Sequence, residues 1–133
     1  MISPKELLAI ARARIKDAEA LLAAGRYDGS VYLCGYAVEL ALKARICRTL
    51  KWSAGFPSTN KEFEDYKSFR THNLDVLLHL SGAENKIKEP KPMVAWSLVA
   101  AWDPLARYRL VGTATAAEAA DMINSTKAIL AAL

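Results

Sequence analysis

The stretch from Asp28 to Leu50 constrains the fold more than any other part of the chain. It contains no proline, and its apolar residues recur at the spacing of an α-helix. These apolar residues lie on both flanks of the predicted helix, which is typical of a helix surrounded by other helices. Between the flanks runs a narrow stripe, the polar seam, which is formed by Tyr32, Tyr36, Glu39 and Lys43. The sequence therefore predicts a central helix that carries polar chemistry into the interior.

The charged half of the polar seam is an acid followed by a base. Glu39 and Lys43 are four residues apart in the favourable acid-first order for a helix. A buried charge needs a partner, so we expect these two side chains to pair. Two interpretations remain open. The pair either ties the helix to a later segment around Arg107 and Tyr108, or it forms part of a working site.

Length and composition indicate one domain with one core. The chain has 133 residues, of which 53% are hydrophobic, so residues 1–133 are predicted to form a single helical domain. No run of 18 apolar residues occurs, so no membrane span is expected. The net charge of +4 is compatible with a nucleic acid partner but does not require one.

The two cysteines indicate a reducing compartment. Cys34 and Cys47 are thirteen residues apart on the same predicted helix. That spacing corresponds to roughly 20 Å along a helix, which is too far for a disulfide. The first residues show no secretory pattern. We therefore expect free thiols and a cytoplasmic protein.

Other helices are indicated before and after the central one. Ser3-Pro4-Lys5-Glu6 has the pattern of a capping box that begins a first helix, which Gly25 ends. The short connection to the central helix predicts an antiparallel hairpin. The later part predicts an aromatic connection over residues 52–70, a short helix over 74–81 and a loop over 83–92. A fourth helix is predicted over residues 92–102, followed by an irregular or extended link over 105–111 and a final helix over 115–132.

The predicted fold class is therefore all-α, an up-and-down bundle of four main helices plus one short helix. No strand alternation and no repeat is found. The connection over residues 52–70 is expected to lie over the first hairpin through its aromatic residues.

The sequence contains few patterns of known chemistry. It has no glycine-rich phosphate loop and no nucleophile elbow, and the spacing of its two histidines fits no metal site. No metal and no cofactor are therefore predicted. His72 lies at the start of the short helix, where the helix dipole favours the neutral imidazole that a general base requires. The alternative is that His72 only caps the helix and bonds to the polar seam.

Several blocks of the chain occur together in a known family. They are Ala11-Arg-Ala-Arg-Ile-Lys-Asp-Ala-Glu-Ala-Leu-Leu22, Gly25-Arg-Tyr-Asp28, Cys34-Gly-Tyr-Ala-Val-Glu-Leu-Ala-Leu-Lys-Ala44, His72-Asn-Leu-Asp-Val-Leu-Leu78 and Ala106-Arg-Tyr108, followed by an alanine-rich closing helix. In these blocks and their order the chain resembles the HEPN domain, a small helical module of higher eukaryotes and prokaryotes. The resemblance extends over nearly the whole chain.

The resemblance implies a four- or five-helix bundle that is often a homodimer. It also implies a minimal nucleotidyltransferase as partner, in a toxin–antitoxin pair or as its substrate-binding subunit. Active members of the family are metal-independent ribonucleases in which an Arg precedes a His by four to six intervening residues. Here Arg70 precedes His72 with one residue between them, so the chain lacks that motif.

Three functions follow as hypotheses. The first is a nucleotide- or RNA-associated HEPN module that depends on a partner protein. The second is a ribonuclease with a rearranged site, in which His72 is the base and Arg70 or Arg107 is the transition-state donor. The third is a structural dimerisation domain. The residues predicted to bind nucleotide or RNA are Tyr36, Glu39, Lys43, Arg107 and Tyr108, and those predicted to be catalytic are His72 and Arg70.

Overall fold

The computed structural model describes residues 1–133, and its regular secondary structure is helical. Two 3₁₀ turns, Lys67–Phe69 and Pro104–Tyr108, supplement the α-helices. No helix combines the length and the apolar character that crossing a membrane would require. The α-helices are α1 (Pro4–Ala23), α2 (Tyr27–Thr49), α3 (Leu74–Ser81), α4 (Glu84–Ile87), α5 (Pro90–Val99) and α6 (Ala116–Ala132). The prediction of an all-α fold is confirmed.

The α1–α2 hairpin begins and turns as its sequence indicates. The Ser3 hydroxyl accepts from the amide of Glu6, and the Glu6 carboxylate accepts from the amide of Ser3, which completes the capping box. Gly25 follows α1 with φ of +73°, a left-handed conformation that favours glycine. Only three residues separate the two helices, so they pack against each other along their length.

α2 is the central helix of the bundle. It packs on α1, α3 and α6, and eleven of its residues are buried. Trp102, which follows α5, lies directly on the α2 backbone at Gly35. A Cβ atom at Gly35 would be 2.0 Å from the Trp102 ring. The glycine within α2 therefore makes room for an indole that covers the helix.

The segment after α2 lies over the hairpin, as predicted. Phe56 is buried and its backbone forms an isolated two-bond bridge with Ile2, in front of α1. The other rings of the segment stack edge-on around it, with Trp52 4.9 Å from both Tyr66 and Phe69 between ring centroids. These aromatic contacts replace regular secondary structure in holding the segment to the core.

The structure differs from the sequence prediction between α3 and α6. The loop expected over residues 83–92 contains α4, whose Ile87 is buried. α5 begins at Pro90 rather than Pro92 and ends at Val99, because both prolines fit in the first turn of a helix. The link expected to be irregular begins as the Pro104–Tyr108 3₁₀ turn, where the Asp103 carboxylate accepts from the amide of Leu105 at 2.7 Å.

Candidate functional site

Glu39 is the buried centre of the candidate site. Only 3% of the residue is exposed, and two side chains contact its carboxylate. Lys43 Nζ donates to Oε1 at 2.6 Å, and His72 Nδ1 lies 3.0 Å from Oε1 and 3.1 Å from Oε2. One partner lies on the next turn of α2, and the other lies two residues before α3 and 33 residues away from Glu39. The carboxylate thus joins the central helix to the start of α3.

The contact with Glu39 determines which ring nitrogen of His72 carries the proton. An ionised carboxylate only accepts hydrogen bonds, so Nδ1 carries the proton. When the imidazole is neutral, Nε2 holds the lone pair. The His72 side chain is 60% exposed and lines a cleft of about 330 Å³ with residues of the turn that follows α5, including Trp102 and Asp103. A carboxylate that orients an accessible imidazole is the arrangement a general base needs.

The phenols of the polar seam form a second group on α2. The hydroxyls of Tyr32 and Tyr36 are 3.2 Å apart, and the Trp102 ring centroid lies 4.9 Å from that of Tyr36. Trp102 Nε1 donates to the backbone carbonyl of Tyr32 at 3.1 Å. The hydrogen bond with Tyr32, followed by burial, raises the pKa of Tyr36 to about 12. Trp102 therefore contacts the phenol group and also lines the His72 cleft.

Arg107 and Tyr108 lie beside this phenol group, on the 3₁₀ turn. The Arg107 guanidinium carbon is 4.9 Å from the centroid of the Tyr108 ring, and Tyr108 is 74% exposed. The phenol of Tyr108, followed by that of Tyr32, raises the pKa of the Arg107 guanidinium. No carboxylate forms an ion pair with Arg107. The result is an exposed cation stacked on an exposed ring.

Asp28 holds the segment that follows Arg107 and Tyr108 against the start of α2. Its carboxylate accepts from the amide of Gly112 at 2.7 Å and from the amide of Ala114 at 2.8 Å. The bonds from Ala114 and then Gly112 lower the pKa of Asp28. Beside this contact a small cleft of about 90 Å³ is lined by Tyr32, Arg109 and seven other residues.

The structure brings the predicted site residues together in two groups. Glu39, Lys43 and His72 form one group, and Tyr36 and Tyr32 with Arg107 and Tyr108 form the other. Arg70 belongs to neither, because its guanidinium lies over the Phe63 ring at 5.6 Å. No hydrogen bond joins Arg70 or Arg107 to His72. No hydrogen bond in the structure therefore supports the expectation that a guanidinium lies beside the His72 imidazole.

Sequence reasoning missed three residues of the site. Trp102 and Asp103 line the cleft, and Asp28 anchors the segment after Tyr108. Gly35 was the available signal for Trp102, since a glycine within an otherwise well-formed helix indicates a close approach by another group. The role of Asp28 depends on backbone amides more than 80 residues away, and no local pattern reports such a contact.

The fold and the candidate site together define the class of protein. The protein is an all-α bundle in which a buried acid of the central helix holds a lysine and an imidazole. A family model described as HEPN domain matches residues 4–54, which comprise α1, α2 and the next few residues. The predicted resemblance to the HEPN domain is thus confirmed over the α1–α2 hairpin.

The matched residues include one part of the candidate site and leave out another. Glu39, Lys43 and the tyrosines of α2 lie inside residues 4–54, whereas His72, Arg107 and Tyr108 lie beyond them. No curated protein and no solved structure gives a significant match. No group of three or more His, Cys, Asp or Glu side chains is placed to share a metal ion.

Proposed function

We propose that the protein is a nucleotide- or RNA-binding HEPN component that works in the cytoplasm with a partner protein, in a toxin–antitoxin or nucleotidyltransferase-associated system. The observation that carries this proposal is the exposed Arg107 guanidinium stacked on the exposed Tyr108 ring without a carboxylate partner. A free cation attracts phosphate, and an accessible ring offers a base a surface for stacking. The absence of the Arg-(4 to 6)-His motif favours binding over cleavage.

The surroundings of Arg107 and Tyr108 support the same proposal. Arg109 is exposed two residues further on, and it also has no carboxylate partner. Tyr32 and Tyr36 extend the phenolic surface along α2. Trp102 connects this surface to the His72 cleft, so a ligand bound at Arg107 and Tyr108 can extend toward the imidazole. Lys43 contributes less charge, because Glu39 already pairs with it.

Binding of a labelled single-stranded RNA, followed by fluorescence anisotropy with ATP as competitor, tests the proposal. We expect Arg107→Ala and Tyr108→Ala each to weaken binding about tenfold, in the range that loss of one stacked base produces. Arg12→Ala is the matched control, since Arg12 is an exposed cation of α1 without an ion-pair partner. Wild-type protein that binds neither probe at low salt, or an equal loss in the Arg12 variant, would contradict the proposal.

The partner is a separate part of the proposal and needs its own test. The HEPN match over the hairpin supports a search for a minimal nucleotidyltransferase encoded by the adjacent reading frame. Co-expression of the two proteins, followed by purification through a tag on one of them, should recover both in a fixed ratio. Recovery of the tagged protein alone, with both expressed and soluble, counts against a nucleotidyltransferase partner.

The second candidate function is a metal-independent ribonuclease with His72 as the base. The contact that favours it is the 3.0 Å approach of His72 Nδ1 to the buried Glu39 carboxylate, which leaves Nε2 for the ribose 2′-hydroxyl proton. RNA cleavage in EDTA should then be lost in His72→Ala and retained in His79→Ala. His79 is the matched control because it is also an exposed histidine bonded to a glutamate, Glu84. Equal activity in the two variants would remove His72 from the mechanism.

A further inference from the structure

The His72 cleft is a polar cavity without a cationic side chain in its lining. It lies between the start of α3 and the turn that follows α5. None of its eight lining residues is Lys or Arg, and Asp103 is the one carboxylate among them. A phosphate in this cleft would face that carboxylate with no lysine or arginine to offset the repulsion. The cleft therefore suits a different part of a ligand from the part that Arg107 attracts.

The side of the cleft that follows α5 offers hydrogen-bond acceptors. Asp103 Oδ1 accepts from the amide of Leu105 at 2.7 Å, and Oδ2 has no partner within the chain. The carbonyls of Ala100 and Ala101 accept no backbone hydrogen bond, and they lie at the end of a helix, where the dipole is negative. Neutral His72 adds the lone pair of Nε2, because Nδ1 contacts Glu39. A ligand group that carries N–H bonds fits these acceptors.

The opposite side of the cleft, at the start of α3, offers a donor. Asn73 caps α3 by accepting from the amide of Val76 through Oδ1 at 3.1 Å. Its Nδ2 group is therefore left to donate. A planar edge with an amino group next to a bare ring nitrogen complements both sides of the cleft. Adenine and cytosine have such an edge, whereas hypoxanthine and uracil carry an oxo group in place of the amino group.

The position of the cleft next to Arg107 and Tyr108 identifies a nucleobase as the source of that edge. Pro104 lines the cleft and also begins the 3₁₀ turn that carries Arg107 and Tyr108. At about 2 Å per residue in such a turn, Asp103 lies about 10 Å from Tyr108 along the chain. One or two nucleotides span that length. A ligand whose phosphate contacts Arg107 can thus place a base in the cleft.

We propose that the His72 cleft binds the amino-bearing edge of adenine or cytosine, with Asp103 as the residue that determines base preference. This inference rests on the nucleotide or RNA binding proposed above and adds a base preference to it. An oxo group in the same position would meet the Asp103 carboxylate and the Ala100 and Ala101 carbonyls, acceptor against acceptor. Those buried or partly buried acceptors would then lose water without gaining a hydrogen bond, which is how such sites reject the wrong ligand.

Fluorescence anisotropy with labelled single-stranded homopolymers of equal length tests the preference. Oligo(A) is compared with oligo(I), and oligo(C) with oligo(U), since the members of each pair differ in the amino group. We expect the wild-type protein to bind the amino member about tenfold more tightly in both pairs, within the range that base-specific hydrogen bonds provide. Asp103→Asn should remove most of this preference, because the asparagine amide can donate to an oxo group, while asparagine still caps the 3₁₀ turn.

Asp121→Asn is the matched control, because it removes the same charge from an exposed position of α6 and should leave the preference intact. Retained binding of oligo(U) by Asp103→Asn shows that this variant is folded. Measurable binding with equal affinity within either pair would overturn the base preference and leave the proposed function standing. A preference that Asp103→Asn does not reduce, or that Asp121→Asn reduces equally, would overturn the role of Asp103. Failure of the wild-type protein to bind any probe would contradict the proposed function itself.

Discussion

The packing of Trp102 against the polar seam depends on Gly35. Trp102 can donate its indole proton to the Tyr32 carbonyl because no side chain intervenes at Gly35. We expect Gly35→Ala to lower the free energy of unfolding by about 1–3 kcal/mol, the usual cost of overpacking a filled site. Urea denaturation measures the change, and tryptophan fluorescence should report greater solvent exposure.

Gly29→Ala is the matched control on the same helix. Its Cβ would meet only the end of the flexible Leu21 side chain, at 3.2 Å, and alanine favours a helix more than glycine does. The free energy of unfolding should therefore stay within about 1 kcal/mol of the wild-type value. Similar losses for both variants would show that helix geometry, rather than the Trp102 contact, explains Gly35.

Glu39 forms a largely buried ion pair with Lys43 in the polar seam. Its removal leaves Lys43, whose side chain is 15% exposed, without its partner. We expect Glu39→Ala to cost about 1–3 kcal/mol in the free energy of unfolding, the penalty for an unsatisfied buried polar group. Glu19→Ala is the comparison, since Glu19 pairs with Lys127 at the surface, where such pairs contribute about 0–1 kcal/mol. Equal losses would argue against a structural role for the buried pair.

At the scale of elements, Asp28 connects the start of α2 to the segment that carries Arg107 and Tyr108. We expect Asp28→Ala to accelerate hydrogen exchange at the amides of Gly112 and Ala114, because both lose their acceptor. Asp17→Ala is the control, since Asp17 makes an exposed pair with Arg14 within α1. Unchanged exchange at both amides would contradict the anchoring role.

The same contact predicts a pH dependence. The amides bind the ionised carboxylate, so the pKa of Asp28 is lower in the folded protein than in the unfolded chain. The stabilisation is therefore fully present above the unfolded value of about 3.9 and is lost as pH falls through the lowered folded value. Protection of the two amides, corrected for intrinsic exchange, should decline only in that acid range. A decline between pH 7 and 5 would assign the protection to another group.

At the scale of the whole molecule, the sequence predicted the helices better than the connections between them. The capping box at Ser3, the turn at Gly25 and the apolar flanks of α2 are local patterns, and each has its expected structure. α4 was missed because it is a single polar turn of four residues, held by burial of Ile87 rather than by periodicity. Such short elements depend on tertiary contacts that the local pattern does not contain.

The candidate site was also predicted in part. The pairing of Glu39 with Lys43 follows from helical spacing, and the addition of His72 follows from the need of a buried charge for partners. The positions of Arg70 and Arg107 depend on how irregular segments fold over aromatic rings, Phe63 in one case and Tyr108 in the other. No sequence spacing determines these contacts, so the roles of the two arginines stay predictions.

The central claim is that the buried acid of α2 fixes the imidazole contributed from the start of α3. Long-range ¹H–¹⁵N NMR correlation of the histidine rings tests this claim most directly, since it distinguishes the two nitrogens and includes His79 as an internal reference. We predict that neutral His72 carries its proton on Nδ1, and that Glu39→Ala shifts the His72 ring resonances while those of His79 stay in place. A His72 ring protonated mainly on Nε2, or one indifferent to the loss of Glu39, would contradict it.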